Sequence, residues 1–98
     1  MEKRTLLQQI KDSMRIKHSA LDSAIQDDIE AATLDLIRVG VQPYSNVENK
    51  TLKEDALLRK ACELYSKAEE DYQGKGEKYN QSYEKLRDSL ALCGDYNE

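Results

Sequence analysis

"TLKEDALLRKACELYSKAEEDY", residues 51–72, decides how the chain reads. Leu57, Leu58, Ala61, Leu64, Tyr65, Ala68 and Tyr72 recur at the i, i+3, i+4, i+7 spacing of one helix face. Arg59, Glu63, Lys67 and Glu70 fill the opposite face. Thr51 and Glu54 have capping-box spacing, in which the hydroxyl accepts from a backbone N–H and the carboxylate reaches back to the cap. The stretch predicts a helix over 52–72, the strongest in the chain.

Downstream, "GKG" at 74–76 reads as a hinge-like break. Tyr79, Tyr83, Leu86, Leu90 and Cys93 then form a second stripe, predicting a helix over 77–92. Tyr65, Tyr72, Tyr79 and Tyr83 thus fall on the apolar faces of two helices joined by a tight turn. Tyrosine suits places where one end of a side chain is dry and the other wet. Two uses stay open. The rings fill a small core, or Tyr72 and Tyr79 belong to a subunit interface.

Upstream, "VQPYSNVENK" at 41–50 holds the only Pro and reads as a long loop, with Val41, Tyr44 and Val47 able to form a brief extended segment. Before it, Leu21, Ile25, Ile29, Ala32, Leu36 and Val39 make a stripe over 20–39. Ser19 is placed to cap this helix, and Gly40 fits the left-handed position that ends one. Leu34 falls opposite the stripe, either as an ordinary exposed Leu or as a contact with another subunit. Leu6, Leu7, Ile10 and Met14 predict a first helix over 3–15. The expected fold is all-α: a single four-helix domain over 1–98, with a long loop between the second and third helices and a short tail at 94–98.

The 98 residues suffice for one domain, and with no Phe and no Trp the core is short of bulk. Such a chain gains stability from a partner or from copies of itself. The net charge of −4 is unevenly spread. Residues 1–18 hold five basic and two acidic side chains, whereas 19–40 hold one basic and five acidic. This polarity reads first as attraction between neighbouring helices. It is not the dense basic stripe that nucleic-acid binding needs. No run approaches the roughly 20 apolar residues of a membrane span. Polar residues interrupt 1–10 where a secretion signal needs an apolar stretch, so a cytoplasmic location is expected. Cys62 and Cys93 have neither zinc spacing nor a disulfide framework and are expected to be reduced and partly buried.

Catalytic patterns are missing. His18 is the only histidine and sits in the joint between the first two helices, without a local Ser or Cys partner. Asp27, Asp28 and Glu30 point different ways on a helix and lack calcium-loop spacing. "GKGEK" lacks the phosphate-loop pattern and a preceding strand. Neither an enzyme nor a cofactor or metal site is expected. What remains is a small acidic helical protein whose business is contact.

"MRIKHSALDSAIQDDIEAATLDLIRVGV" at 14–41 resembles the opening of the head–tail connector, or DNA-packaging adaptor, proteins of long-tailed bacterial viruses. The similarity rests on Arg15, Ile16, His18, Leu21, Asp22, Ile25, Ile29, Ala31, Asp35, Leu36, Gly40 and Val41. It continues with Asp55, Ala61, Tyr65 and Lys67. It is most specific at the close: Tyr83, Leu86, Leu90 and Leu92, then Gly94, Asp95, Tyr96 and Asn97. It spans about 11–97 and departs from the family at 1–10 and in the loop at 41–50. The resemblance implies a homo-oligomeric ring of about twelve subunits beneath the portal protein. Such a ring extends the DNA channel and docks the neck or tail-completion protein at the virion neck, after synthesis in the host cytoplasm. It implies neither cofactor nor active site. It also makes the C-terminal Asp95, Tyr96 and Asn97 an arm for the portal rather than a frayed end. Two other readings compete: a small helical DNA-binding regulator, and a neck protein one layer further from the capsid. Against the regulator stands the strongly acidic second helix.

Overall fold

The computed structural model describes residues 5–53 and 55–93. Within them it is mostly helical: α1 (Leu6–Ser13), α2 (Asp22–Arg38), α3 (Ala56–Glu69) and α4 (Gly76–Leu92). The all-α expectation needs one correction. β1 (Tyr44–Asn46) and β2 (Thr51–Leu52) pair antiparallel, with Tyr44 opposite Leu52 and Asn46 opposite Thr51. The expected loop is therefore a small hairpin. Its turn is tightened where Asn46 Oδ1 accepts from Asn49 N–H and Lys50 takes a left-handed φ of 54°.

The hairpin moves the start of α3. Thr51 pairs in β2 and does not cap a helix. Asp55 does so instead, in extended conformation, its Oδ1 accepting from Leu57 N–H at 2.8 Å and Leu58 N–H at 3.2 Å. Glu54, the other half of the expected capping box, lies outside the described residues. Leu57, on the first turn of α3, is 48% exposed, while Leu58 one position on is buried. The expected stripe holds from Leu58 to Ala68 and fails at Leu57 and at Tyr72, which lies past the end of α3 at Glu69; of the face expected opposite it, Glu63 is buried.

Helix α1 is capped by Thr5, whose hydroxyl accepts from Gln8 N–H. It ends where Arg15 takes a left-handed φ of 58°, with Arg15 N–H on Asp12 O and Ile16 N–H on Lys11 O. The same pattern closes α2. Gly40, at φ 93°, donates to Ile37 O, and Val41 donates to Leu36 O, so Val41 tucks against Leu36 in the core. Gly40 therefore does what the sequence suggests, but Ser19 does not. Helix α2 begins at Asp22 without a side-chain cap, and only the Ser19 carbonyl contributes, accepting from Asp22 N–H. The turn between α3 and α4 is irregular, with Asp71, Gln73 and Gly74 all at positive φ. Asp71 Oδ1 accepts from Gly76 N–H at 2.8 Å, and a Cβ at Gly76 would meet that oxygen and the Ala68 carbonyl. Only glycine fits there.

α1, α2 and α4 each pack against α3. The core has two lobes. One holds Leu6, Ile10 and Met14 of the α1 segment with Ile25, Ile29 and Ala32 of α2 and Cys62 of α3. The other holds Leu36, Val41, Leu58, Ala61, Leu64, Tyr83 and Leu90. Lys11 Nζ lies 2.7 Å from Asp22 Oδ1, one point where the basic first segment meets the acidic second. Carboxylates placed at Leu58 or Leu64 would be buried without a partner, at a cost of several kcal/mol. Leu58→Asp and Leu64→Asp are expected to abolish cooperative thermal melting. Leu57→Asp is expected to melt like the unaltered chain. Equal loss in all three variants would show that the described packing at the start of α3 is wrong.

Candidate docking surfaces

The polar side chains of α2 face inward and outward for different purposes. Asp35 faces in. Its Oδ2 accepts from the Tyr83 hydroxyl at 2.6 Å and from Arg87 Nη1 at 3.2 Å, while Oδ1 accepts from Arg38. This network joins α2 to α4 across the edge of α3. Burial pushes the Asp35 carboxyl up, but the hydrogen bonds from Tyr83, Arg38 and Arg87 outweigh it and hold the carboxyl below its ordinary range. Burial and the Asp35 carboxylate push the Tyr83 hydroxyl well above the usual phenol range, so it stays a donor. The Tyr83 ring meets the Tyr65 ring edge-on, centroids 5.1 Å apart.

Asp28 sits about two turns before Asp35 and faces α3. Its Oδ2 accepts from Ser66 Oγ at 3.2 Å. Burial first, and then the neighbouring Glu70 carboxyl, raise Asp28 to about 7. Glu63 is buried on α3 and held by Lys60 and Lys67 at 3.0 and 3.4 Å. Lys67 also lies over the rings of Tyr72 and Tyr79, which are 6.1 Å apart. Tyr72 and Tyr79 are half-buried and occupied with one another and with Lys67. Tyr83 is fully in the core.

Candidate chemical sites carry little. His18 is exposed, and its Nδ1 accepts from Ala20 N–H in a local turn. Burial pushes the Cys62 thiol up to about 12, which leaves it inert, while Cys93 is half-buried at the end of α4. Both are free thiols. No group of three His, Cys, Asp or Glu among the described residues is placed to hold a metal ion. No helix among them is long and apolar enough to cross a membrane. A pocket of about 180 Å³ between α2 and the hairpin is lined by Gln26, Ile29, Glu30, Thr33, Tyr44, Lys50 and Leu52. That falls short of the roughly 300 Å³ at which small-molecule sites begin. The Tyr44 hydroxyl donates to Thr33 Oγ1 beside it, tying the hairpin to α2.

Exposed aliphatic side chains are the more informative surface. Leu34 (59% exposed) and Ile37 (42%) project from α2, and Leu92 (89%) from the end of α4. Leu34 is thus exposed as its position opposite the stripe implies. Asp95, Tyr96 and Asn97 lie outside the described residues. The role of Asp35 as the link to Tyr83 and Arg87 had no local sign, since its partners are 48 and 52 residues away.

A bundle with a filled core and aliphatic side chains turned outward has the build of an interaction protein. Comparison with known families gives the particular one: the family model described as phage connector protein matches residues 6–97. The chain belongs to the phage connector protein family. Neither a curated protein nor a solved structure matches it significantly.

Asp28 sets a pH dependence. A carboxyl raised from about 3.8 unfolded to about 7 folded adds stability that is fully present below the lower value and is lost as pH rises through the upper one. The melting temperature is expected to fall between pH 5 and pH 8 on the order of several degrees. Asp28→Asn is expected to flatten that slope and to melt higher at pH 8. Parallel profiles for the two proteins would remove Asp28 as the cause.

Proposed function

We propose that this chain is the head–tail connector subunit of a long-tailed phage or prophage, and that it assembles into a ring beneath the portal protein. The observation that carries the reading is the family match over residues 6–97, which runs through all four helices. In this role the ring extends the DNA channel and presents its far side to the neck or tail-completion protein. The location is the virion neck, reached from the host cytoplasm. The role needs side-to-side contacts, a portal contact and a lumen, and no active site.

For the side contacts, Leu34 is the exposed candidate, with Tyr72 and Tyr79 offering the edges that their mutual packing leaves uncovered. For the portal contact we retain Asp95, Tyr96 and Asn97. An aromatic beside a charge is a common pairing at interface hot spots. A helix-turn-helix regulator fits less well, because α2 carries Asp22, Asp27, Asp28, Glu30 and Asp35 where a recognition helix needs cations. Duplex DNA sliding through a lumen formed by such subunits would meet repulsion more than grip.

The test is complementation of a phage lacking this gene. The full chain is expected to restore DNA-retaining heads with attached tails. A chain shortened by residues 95–98 is expected to melt with the full chain yet to yield heads that leak DNA and lack tails. A ring repeats each portal contact, so a small loss per subunit multiplies. Full complementation by the shortened chain would end the arm proposal. Failure of the full chain to restore heads would end the connector reading.

A further inference from the structure

α3 is flanked by two helices that run the same way. Asp28 lies beside Ser66, whereas Leu36 shares a core lobe with Leu58, so α2 is antiparallel to α3. Tyr79 meets Tyr72, and Leu90 shares that lobe with Leu58, so α4 is antiparallel to α3 as well. α2 and α4 are therefore parallel.

Each of the two carries an exposed stripe, and the two stripes complement one another. On α2, Ser23, Asp27, Glu30, Leu34 and Ile37 are all exposed. At about 100° per residue they fall within one face, opposite the buried Ile25, Ile29, Ala32 and Leu36. On α4, Lys78, Gln81, Ser82, Lys85, Ser89 and Leu92 are exposed and share a face in the same way. The first stripe runs from carboxylates to aliphatic side chains. The second runs from ammonium groups to an aliphatic end. None of Asp27, Glu30, Lys78 and Lys85 has an ion-pair partner within the described residues. The acids of α4, Glu77, Glu84 and Asp88, lie about a quarter-turn round from its lysines.

We propose that the α2 stripe of one subunit docks on the α4 stripe of the next copy, and that this heterologous contact is the one that closes the ring. The inference rests on the ring reading above and names its surfaces. Rotation about an axis along the helices preserves their direction. Asp27 and Glu30 then face Lys78 and Lys85, and Leu34 and Ile37 face the Ser89–Leu92 end. Lys85 has a stem long enough to lie over Leu34 while its ammonium reaches Glu30. A perpendicular two-fold would instead set the α2 carboxylates against the aliphatic end of a second α2, leaving charges desolvated and unpaired. The charge pattern thus selects head-to-tail contact over a closed dimer.

The test is thiol cross-linking of the full chain, with portal rings present as a template, in a Cys93→Ser background. Ile37→Cys and Ser89→Cys are joined by a reagent that spans about one helical turn. The doubly substituted chain is expected to give a ladder of trimers and larger species. Each single variant alone is expected to stay uncross-linked, and a mixture of the two is expected to stop at dimer. Glu30→Lys or Lys85→Glu added to the double variant is expected to cut the ladder about tenfold, and both together to restore it. Cross-linking by either single variant alone would overturn the proposal in favour of a two-fold contact. No ladder from the double variant, while amine cross-linking of the unaltered chain still gives rings, would overturn these surfaces and leave the ring standing. No multimer by either chemistry would overturn both.

Discussion

Helices α1, α2 and α4 all lean on α3, and α3 meets them with small side chains. Ala61, Cys62 and Ser66 are buried on it beside Leu58 and Leu64. Small residues let backbones approach, which is how a chain without Phe or Trp closes a core. The bulk comes from tyrosines. Tyr83 is the largest fully buried side chain, and it stacks edge-on with Tyr65. A buried tyrosine needs a partner for its hydroxyl. Asp35 supplies it, and in doing so must itself be balanced by Arg38 and Arg87. The α2–α4 network thus follows from the choice of Tyr as filler.

That choice divides the acids of α2. Asp28 and Asp35 are directed toward α3 and α4, where their hydrogen bonds hold the bundle together. Asp27 and Glu30 are exposed and contribute nothing to the described packing. The two inward carboxyls also pull in opposite directions with pH. Asp35 is stabilised in its charged form, so its contribution is lost in acid as pH falls through its lowered range. Asp28 is stabilised in its neutral form, so its contribution fades toward neutral pH. Helix α2 therefore sits most firmly in mildly acidic solution.

Helices were legible in the sequence because an apolar stripe is repeated over many residues, and the core can satisfy it in only one rotation. The ends of α3 were not, and of the hairpin only the extended segment around Tyr44 was readable, not its pairing with residues 51–52. Thr51 and Asp55 are both good caps, and only one can start the helix. What decides is non-local: Lys53 N–H donates to Pro43 O, and Tyr44 pairs with Leu52, so residues 51–53 are claimed by the hairpin. Propensity within the segment carries no trace of that competition. Of the candidate site, the outward position of Leu34 was readable from its angle on α2. The fate of Tyr72 and Tyr79 was not, because it depends on Lys67 and on the positive-φ turn that brings the two rings together.

Contact through the stripes of α2 and α4 would be weak one pair at a time. Each side offers two charges and one or two aliphatic side chains, far below the area of a lasting dimer. Exposed ion pairs contribute about 1 kcal/mol or less and are screened by salt. On the proposed pairing, free subunits therefore stay apart. On the same proposal, a portal would change this by holding subunits side by side, replacing bulk concentration with a far higher effective one. Ring closure then adds one contact without a further loss of translational freedom. A strongly apolar stripe would instead join subunits before the portal was ready, into open filaments as readily as rings. Carboxylates and lysines along most of each stripe, with aliphatic groups kept to one end, would suit the proposed subunit if its assembly waits for a template.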